Sequence, residues 1–181
     1  MLNIIKNNML LPLFLLLGLF VVANPVSTGT LDRVIHSVDL KQITCLAKNI
    51  YYEAGYESHE GKAAVARVVI NRVNHGFAKT PCAVIYQSNT VIRNDEPVKI
   101  CQFSWVCENK APININNKEY QKSLLIAHEV LELDMYKEVI PRSVLFFHNL
   151  TVEINSSWPY QKVKQIGNHI FYSKQRDKDK Q

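Results

Sequence analysis

From Val38 to Ala54 the apolar residues Ile43, Leu46 and Ile50 recur at three- and four-residue intervals, the spacing that lines one face of an α-helix. Ser37 or Asp39 can cap that helix and Gly55 can stop it. A second helix is predicted over His59–Asn74, with Ser58 as its cap and Gly76 just beyond its end. Its run from Ala63 to Ile70 is apolar on nearly every side, so this helix belongs in the centre of a core. Pro81 opens a short helical piece around Ala83–Gln87. A third helix is expected from about Lys118 to Lys137, with Tyr120, Leu124, Ala127 and Leu131 on one face; Pro141 bars its continuation.

The period then changes. Ser143–Phe147 and His169–Tyr172 are short, β-branched and aromatic, and suit a small hairpin or sheet. The stretch Ser88–Asn117 carries no sustained pattern and reads as a loop, long enough to require a function or a covalent staple. With 181 residues the chain holds one domain, set by these elements at 38–172 and of α+β class.

The termini read differently. Lys6 precedes an apolar run, Met9–Val22, of about fifteen residues, short of the ~20 that span a bilayer. With small residues at Val21–Ala23, segment 1–23 reads as a cleaved secretory signal; an uncleaved membrane anchor is the alternative. Residues 24–37 read as a linker, and 173–181 as a disordered basic tail. Export agrees with four cysteines, Cys45, Cys82, Cys101 and Cys107, which lack CxxC, HExxH or His-rich company. Two disulfides are therefore expected rather than a metal site, with three pairings open. The net charge of +5 becomes +4 without Lys6, a modest excess that suits an anionic polymer such as a cell wall. Lysines and arginines are scattered rather than striped, so nucleic acid is not an expected partner.

Among candidate catalytic groups Glu53 stands out. It ends the first helix on or beside the apolar stripe, among Tyr51, Tyr52 and Tyr56. A carboxyl held against apolar neighbours resists ionisation, as a general acid must. Glu57 and Glu60 fall at the start of the second helix, where acidic residues complement the helix dipole. Gln102-Phe103-Ser104-Trp105 puts an amide, a hydroxyl and two rings between cysteines, a mixture suited to sugars or to a packed loop. Asn71 falls near the buried side of its helix, where a structural hydrogen bond and a ligand contact are both open. His148 follows a strand. Nucleophilic catalysis by Ser or Cys lacks a recognisable context such as G-x-S-x-G.

Taken in order, these segments resemble the cell wall hydrolase family typified by the spore cortex-lytic enzyme SleB. The resemblance runs through Tyr52-Glu53-Ala54, Gly61–Val73 with Asn71-Arg72, Pro81–Gln87, Cys101–Ser104, Leu145–Asn149, Trp158 and Ile166–Tyr172, covering roughly residues 43–172. It implies a lysozyme-like, mainly helical domain with a small sheet, acting on the glycan strand of peptidoglycan between N-acetylmuramic acid and N-acetylglucosamine. It also implies one acid–base glutamate, matched by Glu53, and no metal or other cofactor. Tyr52, Asn71, Gln102, Phe103, Ser104 and His148 are then expected to bind substrate. The family often reads Glu-Ala-Arg-Gly-Glu where this chain has Glu53-Ala-Gly-Tyr-Glu57, and Lys62 stands in place of a common glutamine. The implied chemistry is lytic transglycosylation; hydrolysis, an amidase, or a non-catalytic wall-binding module are the alternatives. A membrane enters only through an uncleaved N-terminal segment, and an activator protein is left unidentified.

Overall fold

A computed structural model of the chain describes residues 29–154 and 158–174. The expected signal, the start of the linker and the tail beyond Lys174 lie outside the described residues. The helix α1 (Gly29–Ala54) starts well ahead of Val38, so Ser37 and Asp39 lie within the helix rather than at its start. It is followed by α2 (His59–Asn74) and α3 (Pro81–Ile85), then the hairpin β1 (Ser88–Arg93) and β2 (Glu96–Cys101). The short α4 (Ser104–Cys107) and α5 (Lys118–Glu132) come next, and β3 (Val144–Asn149), β4 (Tyr160–Ile166) and β5 (His169–Lys174) close the chain.

The all-round apolar run of α2 makes it the centre. Ala63, Ala64, Val65, Ala66, Val68 and Val69 are fully buried. One side of α2 joins Ile43, Leu46, Ala47 and Ile50 of α1 and Ile126, Ala127 and Val130 of α5 in a helical core. The other side, through Ala64, Val65 and Val68, meets Val144, Ile166 and Phe171 of an antiparallel sheet of order β3-β5-β4. Phe147 packs against both clusters, at the seam.

The caps follow the sequence closely. Ser58 accepts the Gly61 N–H at the start of α2, and Asn117 accepts from Glu119 and Tyr120 at the start of α5. The helix α5 ends at Glu132 rather than near Lys137, because a tertiary contact captures the next residues. Arg67 grips Asp134 Oδ1 at 2.9 and 3.0 Å and also the Met135 carbonyl. Asp134 and Tyr136 take left-handed backbone angles there (φ 49° and 64°).

Four strands depart from the expected pattern. The stretch from Ser88 is not structureless: β1 and β2 pair across Asn94-Asp95, both at positive φ (50° and 64°) as a type I′ hairpin turn needs. Both faces of this ribbon are largely exposed, so it shows none of the burial-driven alternation that marks a strand. The strand β4 escaped for the same reason, being exposed at all but its end residues. The strand β5 continues through Ser173 and Lys174, which the sequence assigns to the tail.

The disulfides pair Cys45 with Cys82, tying α1 to α3, and Cys101 with Cys107, closing the loop around Gln102–Ser104.

Candidate active site

Glu53 lies in the last turn of α1, and the chain must leave that helix sharply. A Cβ on Gly55 would sit 2.4 Å from the Tyr51 carbonyl oxygen, so glycine is required for this exit. Lys62, almost fully buried, then takes the place of solvent at the helix end. Its Nζ donates to the Gly55 carbonyl at 2.7 Å and the Glu57 carbonyl at 2.8 Å, and pairs with Glu119 at 3.0 Å. A cation at the C-terminal carbonyls of a helix is favourably placed, and this one fixes the turn beside Glu53.

Glu53 opens into a groove of about 430 Å³, lined also by Arg72, Gln102, Phe103, Ser104, Phe146, Phe147, His148, Asn149, Val152, Trp158 and His169. Burial pushes its carboxyl up to about 7. The Arg72 guanidinium opposes that rise, Glu108 reinforces it, and Lys110 opposes it more weakly. Tyr56 stands free in solvent.

The loop closed by Cys101–Cys107 alternates. Gln102 and Ser104 are exposed toward the groove, whereas Phe103 and Trp105 are buried beneath it. The Gln102 N–H is tied to the Gln87 carbonyl at 2.8 Å, and Trp105 Nε1 donates to Asn49 Oδ1 at 3.0 Å. Across the groove, His148 Nδ1 meets the Asn149 carbonyl at 2.8 Å, while Nε2 meets the Tyr172 hydroxyl at 2.7 Å. A carbonyl can only accept, so Nδ1 carries a proton, and Nε2 is joined to the tyrosine hydroxyl.

The expected residues Glu53, Gln102, Phe103, Ser104 and His148 thus meet in one groove, and two others stand elsewhere. Asn71 spends its amide on the Pro141 and Val144 carbonyls, at 3.0 and 2.9 Å, riveting α2 to the start of β3. Tyr52 lies against a neighbouring depression, its ring stacked on Trp105.

Arg72 was visible only as part of the Asn71-Arg72 pair, yet it reaches the groove. Its Nε donates to the Leu145 carbonyl at 2.7 Å, and its guanidinium lies over Phe103 and Phe146. Burial brings its pKa down to about 10, with Glu53 and Tyr160 opposing. Its buried Nη1 has no hydrogen-bond partner among the described residues. Phe146, Asn149 and His169 join the lining through β3–β5 pairing, a long-range property that local spacing does not carry, and Trp158 joins from the segment just ahead of β4.

Neither acidic residue that follows Glu53 lines the groove. Glu60 pairs with Lys164 at 2.8 Å on the surface. Glu57 is tucked under the β4–β5 turn, accepting the Asn168 N–H at 3.3 Å with His169 Nδ1 at 3.8 Å. Gly167, at φ +56°, leaves it room: a Cβ there would fall 1.9 Å from Glu57 Oε2.

A half-buried acid at the end of a core helix, facing a polar and aromatic groove walled by a small sheet, defines an α+β domain whose groove holds one carboxylate among the described residues. The chain belongs to the cell wall hydrolase family, which matches residues 56–172. That match begins just after Glu53, so the place of this glutamate rests on the geometry above. A spore cortex-lytic enzyme of Oceanobacillus iheyensis is 27% identical over 130 residues, which are 71% of this chain and 40% of that relative. The alignment therefore spans well under half of the relative's length. The crystal structure of the catalytic domain of the Bacillus cereus SleB protein superimposes with a TM-score of 0.50 at 22% identity. It covers 74% of this chain and 91% of that domain, and so supports the SleB-like fold.

Proposed function

We propose that this chain is an exported enzyme that cleaves peptidoglycan glycan strands between N-acetylmuramic acid and N-acetylglucosamine, as a lytic transglycosylase with Glu53 as its one acid–base. The observation that carries this is a carboxyl pushed up to about 7, so that it exchanges its proton in the neutral range, inside a groove lined by amide, hydroxyl and aromatic groups. Protonated Glu53 gives its proton to the glycosidic oxygen while the bond from that oxygen to the muramic C1 breaks through an oxocarbenium-like state. The carboxylate so formed takes the proton of the muramic C6 hydroxyl, whose oxygen bonds to C1 and closes a 1,6-anhydro ring. Glu53 ends protonated, and no water is consumed. Export accords with the disulfides and with a substrate outside the membrane.

Hydrolysis would need a second carboxylate about 5–9.5 Å from the first. Glu57 and Glu60 are engaged elsewhere. Glu108 is the other acid whose charge reaches Glu53, which makes it the candidate base for a hydrolytic version.

Digestion of purified peptidoglycan, with mass spectrometry of the fragments, separates the readings. Anhydro-muropeptides are expected. Reducing ends lost with Glu108→Gln would replace the transglycosylase by a hydrolase, free stem peptides would indicate an amidase, and wall binding without fragments a binding module. Glu53→Gln should abolish cleavage while the protein still folds and binds the wall.

A further inference from the structure

We propose that a shelf formed by Tyr52, Tyr86 and Trp105, beside Lys110, is a second glycan subsite across the scissile bond from the main groove, holding an N-acetylhexosamine ring of the same strand. It deepens the glycan-cleaving reading above and rests on it. An acid that protonates the oxygen between two sugars needs room for a ring on each side of itself, and the groove around His148 and Trp158 provides one side.

Consecutive residues divide the two sides. Glu53 lines the main groove, while Tyr52 before it lines a separate depression of about 300 Å³. Ser104 lines the groove, while Trp105 after it lines the depression. The end of α1 and the start of α4 therefore form one ridge with a hollow on either flank, and Glu53 stands on it. Charged groups connect the flanks: Glu108 pairs with Lys110 at 2.5 Å, and both charges are felt at Glu53.

The shelf has the build of a sugar platform. Trp105 is locked from below by Asn49 and stacked on Tyr52 with ring centres 4.7 Å apart and planes at 26°. Tyr52 in turn donates its hydroxyl to the Ala111 carbonyl at 3.2 Å, holding the rim. Tyr86 meets Trp105 edge-on at 5.9 Å yet remains 45% exposed, an open aromatic face on a rigid support. A ring fixed in advance loses little freedom on binding, so stacking against the apolar face of a sugar is retained as affinity. Lys110 at the margin can donate to hydroxyl or acetamido oxygens.

The test uses the full chain carrying Glu53→Gln, titrated calorimetrically with a purified octasaccharide of alternating N-acetylglucosamine and N-acetylmuramic acid. Adding Tyr86→Ala should weaken binding about tenfold, the scale of one lost aromatic platform. Tyr86→Phe, which keeps the ring, should bind as the parent does, and circular dichroism of both variants checks that the fold is kept. Unchanged affinity in Tyr86→Ala overturns the subsite, as does a sugar-free stem peptide that displaces the octasaccharide in the Tyr86 parent but not in Tyr86→Ala. Cleavage by the Glu53 protein, measured in parallel, separates the two levels. Cleavage that persists with unaltered kcat/KM when Tyr86→Ala is made in the Glu53 protein overturns the subsite alone, whereas a Glu53 protein that does not cleave, together with a Glu53→Gln form that does not bind glycan, overturns both.

Discussion

Glu53 changes protonation in the neutral range because burial outweighs the nearby Arg72 cation. A general acid works only while protonated, so cleavage should fall as pH rises through about 7. Removing the reinforcing charge with Glu108→Gln should move that limb to lower pH without abolishing activity; an unmoved limb would show that Glu108 does not act on Glu53. The same burial has a stability consequence. Below the ordinary carboxyl value of 4.5 Glu53 is protonated in both the folded and the unfolded chain, whereas between 4.5 and about 7 only the unfolded chain ionises it. Stability is therefore lost as pH rises through that window and is not regained above it. Glu53→Gln removes the penalty and should stabilise the protein by about 2 kcal/mol at pH 8 but hardly at pH 4, read from thermal melts. Helical spacing picked out this glutamate because burial of its neighbours is a local property. It did not separate Tyr52 from the groove, since one step along a helix turns a side chain by roughly 100° and moved this ring to the other flank.

Single elements carry the groove through their fastenings. The Cys101–Cys107 bridge spans a sequence separation of only 6, so its loss should cost about 2 kcal/mol by the loop-entropy argument. Its effect on activity should be larger, because it holds the loop that presents Gln102 and Ser104. In a Cys101→Ser/Cys107→Ser variant kcat/KM should fall more than tenfold while unfolding stays cooperative, about the rate loss expected from misplaced substrate-positioning groups. Lys62 has a comparable place at the end of α1. Lys62→Met would leave the Gly55 and Glu57 carbonyls without their donor, while Lys122 still holds Glu119 at 2.8 Å, and should cost about 2 kcal/mol in urea melts. The helices α2 and α5 were legible because their caps and stripes are written locally, at Ser58 and along Tyr120, Ala127 and their neighbours. The β1–β2 ribbon and β4 were not, because strands exposed on both faces carry no alternation to read.

At the scale of the molecule, the site lies at the seam between two apolar clusters, one among helices and one between α2 and the sheet. The helical side supplies Glu53, the sheet side supplies His148, Asn149 and His169, and the distance across the groove depends on how the layers are joined. Among the contacts that join them beside the groove, Phe147 packs into both clusters, Asn71 holds the Pro141 and Val144 carbonyls, and Arg72 holds the Leu145 carbonyl. The adjacent Asn71-Arg72 pair is thus legible as a likeness to a family but not as a joint, since its partners lie some seventy positions away in sequence. If Asn71 is a joint rather than a sugar ligand, Asn71→Ala should strip the buried Val144 carbonyl of its amide partner, while the Pro141 carbonyl keeps the Val144 N–H, and cost about 1–2 kcal/mol. The loosened sheet should then lower kcat, as His148 and Trp158 drift from Glu53, and cooling should restore part of the rate as folding recovers. A direct ligand would behave differently: stability would hold, and KM for glycan would rise at every temperature. Melting curves and KM against kcat, measured on one Asn71→Ala preparation at two temperatures, decide between them.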